Sequence, residues 1–154
     1  MIKDVFLKVK IKFPEVNSKI IPFDKKSFML SNPLTKNIYY NKEQYEKFKF
    51  SKKALIGVLA HELGHQVSYK NINFLQRLFF KYRYNRNFDF KRKAEREADI
   101  IAIKRGFGNE LIELIKESER KFNHERFLKI KRTHLSINEI KRLMKSNHKN
   151  DGLY

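Results

Sequence analysis

Residues 54–65 read Ala-Leu-Ile-Gly-Val-Leu-Ala-His-Glu-Leu-Gly-His, and this run constrains the chain more than any other stretch. Leu55, Ile56, Val58, Leu59 and Ala60 leave no polar face, so the segment belongs inside a core. The run then carries two imidazoles and a carboxylate into that same core. Titratable groups taken out of water are costly unless they are paired. A fold built around this sequence must therefore supply partners for His61, Glu62 and His65.

Ser51 is a fair N-cap for a helix that continues to about Tyr69. On it, His61 and His65 stand at i and i+4, so both imidazoles share one face and can reach one ion. Glu62 lies about 100° further round, beside that ion, where it can take a proton from water. Gly64 removes a side chain from the flank and lets another segment pack closely. The chain has no cysteine, so a metal must be bound by His, Asp or Glu, which favours zinc.

A catalytic zinc takes three protein ligands and leaves one position open. Glu95-Arg96-Glu97-Ala98-Asp99 places a second pair of ligand-type residues at i and i+4. Glu95 is the candidate third ligand. Asp99 is a candidate acceptor for the free N–H of a ligating histidine, a bond that would hold its tautomer and orientation. Glu97 points about 200° away from Glu95 and reads as solvated.

The remaining pattern implies an α+β fold in one domain over residues 1–145, with residues 146–154 as a mobile C-terminal tail. Its expected architecture is a short twisted N-terminal sheet packed on an active-site helix and a glutamate helix, with further C-terminal helices. From Leu7 to Phe13 apolar and lysine positions alternate, which predicts a strand over residues 5–13 ended by Pro14. Further strands are expected at Ser27–Leu30 and Asn37–Asn41, with Asn32-Pro33 as the turn between them. An apolar-basic segment covers about Ile72–Tyr84. Asp89 is the expected cap of a helix from Phe90 to Arg105, with Gly106 ending it. Another helix is expected over about Asn109–Phe122. Ser136 and Glu139 form a capping box for a last helix to about Lys145.

Three segments resemble the gluzincin zinc metallopeptidases and the small soluble minigluzincins related to them. Ile56–His65 is similar to the family's active-site helix, and Glu95–Ala102 to its E-x-x-A-D glutamate helix. Thr133-His134-Leu135-Ser136 with Glu139 and Leu143 is similar to a late T-H-P-S segment, although Leu135 stands where proline is usual and Ile140 where arginine is usual. The resemblance implies a zinc-dependent endopeptidase with His61, His65 and Glu95 on zinc and Glu62 as general base. It implies that His134 stabilises the oxyanion and that the Asn37–Asn41 strand pairs with an extended polypeptide substrate.

Lysine and arginine number 35 against 17 acidic residues, a formal net charge of +18. Such a charge suits an anionic partner, but no motif that reads DNA or RNA accompanies it, so nucleic acid is disfavoured. Residues 74–83 mix aromatic and basic side chains. They fit either peripheral contact with an anionic membrane or a helix packing its apolar side on the core. No apolar run nears the roughly 20 residues that span a bilayer, and the N-terminus lacks a signal-peptide pattern. The expected location is the cytoplasm. Two rival readings remain: a regulatory protease resembling the ImmA/IrrE type, and a basic nucleic-acid- or membrane-binding module whose zinc site is not catalytic.

Overall fold

The computed structural model of the chain describes residues 2–24 and 26–150. In order along the chain the elements are α1 (Ile2–Lys10), β1 (Ile20–Phe23), β2 (Met29–Ser31), β3 (Ile38–Asn41), α2 (Lys42–Phe48), α3 (Lys52–Ser68), α4 (Phe74–Arg86), α5 (Phe88–Lys104), α6 (Gly108–Lys121), α7 (His124–Thr133) and α8 (Ile137–Asn150). The architecture is α+β: a three-stranded mixed sheet packs on α3, and further helices follow. Among the described residues no helix is long and apolar enough to cross a membrane.

Helix α3 is the centre. Its burial continues around the whole cylinder, from Ala54 and Leu55 through Leu59 and Ala60 to Gln66, as expected for a helix without a polar face. Helices α1, α5 and α6 and strand β2 enclose it. Its start is capped as its sequence predicts, with the Ser51 hydroxyl accepting from the Ala54 N–H at 3.1 Å. The buried carboxylate of Glu117 on α6 accepts from the Ser51 N–H at 3.1 Å, tying the helix start to its neighbour.

The sheet runs in the order β1-β3-β2. Strand β3 is parallel to β1, with Ile20 opposite Ile38, and antiparallel to β2, with Leu30 opposite Tyr39. Ladder bonds from Asn32 N–H to Asn37 O and from Asn41 N–H to Phe28 O set the phase of the antiparallel pair. Because bonding alternates along such a pair, Leu30 faces β3, and the main-chain groups of Met29 and Ser31 point to the outer edge. Asn41 ends β3 and its side chain caps α2, accepting from the Gln44 N–H at 2.7 Å.

The segment read as a strand over residues 5–13 is helix α1 for most of its length. The residues that α1 buries are Ile2, Val5, Phe6 and Val9, spaced i, i+3, i+4, i+7. Of the alternating residues, Val9 and Phe13 are buried but Leu7 and Ile11 are 59% and 76% exposed, so burial does not follow the period-2 pattern. The first strand is instead β1, whose short sequence Ile-Ile-Pro-Phe gives little periodicity to read. Helix α7 was likewise not anticipated. It starts at Asn123, whose side chain accepts from the Arg126 N–H at 2.9 Å.

Helix α5 is capped by Asn87 rather than the expected Asp89. Asn87 also ends α4, so the two helices meet at one residue and Asp89 falls within the first turn. Gly106 follows the end of α5 with φ of 90°, the left-handed conformation that its C′ position requires. Helix α8 runs past its expected end at Lys145 to Asn150. The rest of the expected tail, 151–154, lies outside the described residues.

At Gly64, α3 lies directly against the main chain of α5. A β-carbon there would sit 2.6 Å from the carbonyl oxygen of Ala98, and neither backbone can yield without shifting a helix. Gly64→Ala should therefore destabilise the protein by about 2 kcal/mol through overpacking. Urea denaturation would measure this, and an unchanged midpoint would contradict the close crossing.

Candidate metal centre

The crossing at Gly64 and Ala98 sets the site. On α3, His61 and His65 project together, their ring centroids 4.7 Å apart. On α5, Glu95 and Asp99 occupy the facing side one turn apart. The short connection after α7 adds His134. His61, Glu62, His65, Glu95 and Asp99 are all 7% exposed or less. The side chain of His134, at 23%, is the most open of the converging groups.

One oxygen collects the imidazoles. Oε2 of Glu95 lies 3.1 Å from His61 Nε2, 3.2 Å from His134 Nε2 and 3.5 Å from His65 Nε2. The donor atoms of His61, Glu95 and His134 all lie within 4.8 Å of one another. A buried His/Glu/His triad of this kind can bind a metal ion. That triad contains His134 in place of His65; of the expected residues, His61 and Glu95 belong to it, and His65 stands slightly farther from Glu95.

Asp99 organises the cluster. Its Oδ1 is 2.8 Å from His61 Nδ1, and its Oδ2 accepts from the Leu135 N–H at 2.9 Å. With Nδ1–H donated to Asp99, neutral His61 turns a lone pair from Nε2 toward the carboxylate of Glu95. Two lone pairs facing each other at this distance call for a proton or a cation between them. The donor set of imidazole nitrogens and a carboxylate oxygen fits zinc or a similar divalent ion. Leu135, a departure from the proline of the resembling family, contributes here through an N–H that proline lacks.

Electrostatics agree with an electron-rich pocket. Burial acts to lower the His61 pKa, but its bonds to Asp99 and Glu95 overcome this and hold it well above the ordinary value. Burial pushes Glu95 and Asp99 upward, and the surrounding histidines override it to hold both carboxyls below their usual range. Glu62 behaves differently. Burial dominates its neighbours and raises its pKa, a direction that suits a proton acceptor working near neutrality.

Tyr84 was not anticipated as a site residue. It lies on α4, and its hydroxyl donates to Glu95 Oε1. Phe80, one turn earlier, packs on Tyr69 at 5.1 Å, and Tyr69 in turn stacks on His65 at 6.1 Å. Nothing local marks Tyr84 among the tyrosines and phenylalanines of residues 74–84, because only the folding of α4 against α5 brings it to Glu95. Glu97 is exposed, as its angle on the helix predicts.

The histidines and Glu62 lie in a cleft of about 720 Å³ whose walls include Met29, Ser31, Phe122 and Tyr84. The cleft corrects the expectation that residues 37–41 would pair with an extended ligand. Strand β3 is central and both its edges are taken by β1 and β2. The strand that borders the cleft with an outer edge is β2. Compared with known protein families, curated proteins and solved structures, the chain gives no match.

The backbone that carries His134 is fixed by Arg96 and Glu139. Arg96 donates to the His134 carbonyl at 3.4 Å and pairs with Glu139 at 2.5 Å. Glu139 also accepts from the Ser136 N–H at 2.8 Å, completing the expected capping box. Arg96 first, and then these Ser136 bonds, pull the Glu139 pKa from 4.5 down to about 2. A depressed folded-state pKa adds stability above the unfolded value and loses it as pH falls through the folded one. The pair is partly exposed and screened, so Glu139→Gln should cost about 1 kcal/mol at neutral pH. The difference from wild type should shrink between pH 4.5 and about 2. Thermal melts across that range would show it, and a difference independent of pH would reject the ionised pair.

Proposed function

We propose that this chain is a zinc-dependent endopeptidase of the gluzincin type. The observation that carries the reading is the convergence of three imidazole Nε2 atoms on one buried Glu95 oxygen, with the buried Glu62 on the floor of the same cleft. A structural site would have no need of a further buried carboxylate beside it, lining a cleft of this size.

His61, His65 and Glu95 are the proposed ligands, with Asp99 and Tyr84 holding His61 and Glu95 in orientation. Zinc bound there would supply Lewis acidity, acidifying a water and polarising a peptide carbonyl. Glu62 takes the proton from the attacking water and passes it to the leaving amine. His134, the most open of the imidazoles, donates to the oxyanion that develops on the carbonyl. The polypeptide lies extended along β2, bonding to the outward main-chain groups of Met29 and Ser31.

Two substitutions separate these roles. Glu62→Gln should bind zinc as wild type does and cleave an unfolded protein substrate at least about 100-fold more slowly. Cleavage at the wild-type rate would end the general-base assignment. A zinc-loaded wild type with no cleavage of unfolded protein or of a mixed peptide library would favour a binding module. His134→Ala should lower kcat by about 100-fold while zinc affinity, read by competition with a chelating dye, stays near wild type. A large loss of zinc affinity in that variant would move His134 into the ligand set.

A further inference from the structure

Helix α4 is attached to the protein by one side only. Phe80 packs on Tyr69 and Phe90 at 5.1 and 5.0 Å, and Tyr84 reaches Glu95. No residue of α4 is buried. On the opposite side Phe74, Leu75, Leu78, Phe79 and Tyr82 are 60%, 73%, 49%, 61% and 61% exposed. At about 100° per residue these five form one continuous arc of about 140°, centred away from the Phe80–Tyr84 side. The packed-helix reading of this segment, with its apolar side on the core, therefore holds only for Phe80 and Tyr84.

The arc is framed by cations. Lys81 and Arg83 flank its two borders, with the Arg83 guanidinium lying over the Phe90 ring at 4.3 Å, and Arg86 stands at its C-terminal end. Between Tyr69 and Phe88 there is no Asp or Glu. A second copy of the chain is a poor occupant, since it would bring two such helices together on molecules that each carry +18. Nucleic acid would match the cations but has no place for five large apolar side chains. An anionic bilayer matches both features: its headgroups meet the Lys and Arg side chains, and its acyl boundary takes the Phe, Leu and Tyr side chains.

We propose that α4 is an interfacial anchor that docks the protein on anionic lipid surfaces, with its axis lying in the membrane plane. Phe80, Lys81 and Tyr84 also line the cleft, so docking by this helix holds the cleft beside the bilayer. Polypeptide at the membrane surface becomes the nearest material to it. The docking itself rests on α4 alone and does not depend on the peptidase reading.

The full chain contains no tryptophan, so Leu75→Trp adds a single fluorescent reporter in an otherwise intact protein. On vesicles of equimolar phosphatidylcholine and phosphatidylglycerol its emission should shift to the blue and be quenched by lipids brominated in the acyl chains. Pure phosphatidylcholine should give a much weaker signal. In flotation with the mixed vesicles, the exposed double substitution Leu75→Ser with Phe79→Ser should reduce binding by about tenfold or more, with circular dichroism unchanged. Equal binding of wild type and double variant, with no blue shift, would reduce the contact to general charge attraction and overturn the proposal. So would absence of binding to mixed vesicles. A dimer in sedimentation that the double substitution dissolves would overturn it in favour of self-association. Duplex DNA binding that the same substitution abolishes would overturn it in favour of nucleic acid.

Discussion

The site depends on how closely two backbones can approach. At Gly64 the absence of a β-carbon lets α3 lie against the main chain of α5 at Ala98. Glu95 and Asp99 bracket Ala98 on α5, as His61 and His65 bracket Gly64 on α3. A wider crossing would leave carboxylates and imidazoles too far apart to share a proton or an ion. The same contact leaves these groups largely buried, so the charges interact in a medium where pairing is strong and isolation is costly.

Around that crossing three sets of supports hold the site. Asp99 holds His61 and is itself held by the Leu135 N–H. Arg96 and Glu139 anchor the backbone that presents His134. Tyr84 arrives from a helix that buries none of its own residues. A rigid core helix thus supplies the histidines, while one side of the carboxylate is completed by an element attached mainly through aromatic contacts. The cleft consequently has a firm floor and one wall that faces outward to whatever α4 meets.

Much of this was legible before folding. The apolar run into His61 specified a buried helix, and the i,i+4 spacings specified which side chains would share a face. Gly64, Gly106, Ser51 and the Ser136–Glu139 box acted as their chemistry predicts. Where pattern and burial diverged, the reading failed: Leu7 and Ile11 alternate with lysines yet stay exposed, and the true stripe of α1 begins at Ile2. Strand β1 and helix α7 were missed because the first is short and interrupted by Pro22, and the second sits in a lysine- and arginine-rich stretch with a single clear cap at Asn123.

Local sequence determined what could be decided within a few turns of one element: that α3, α5 and α6 are helices, the caps at Ser51 and Ser136, the shared face of His61 and His65, and that of Glu95 and Asp99. Those outcomes follow from backbone geometry and side-chain spacing, which need no distant partner. Tertiary structure alone decided that β3 would be the central strand and β2 the open edge. It also decided that Tyr84 would meet Glu95, that His134 would stand 3.2 Å from the same carboxylate, and that the apolar arc of α4 would face outward. Each of these compares contacts between segments far apart in the chain, and such a choice is made only when the whole core packs.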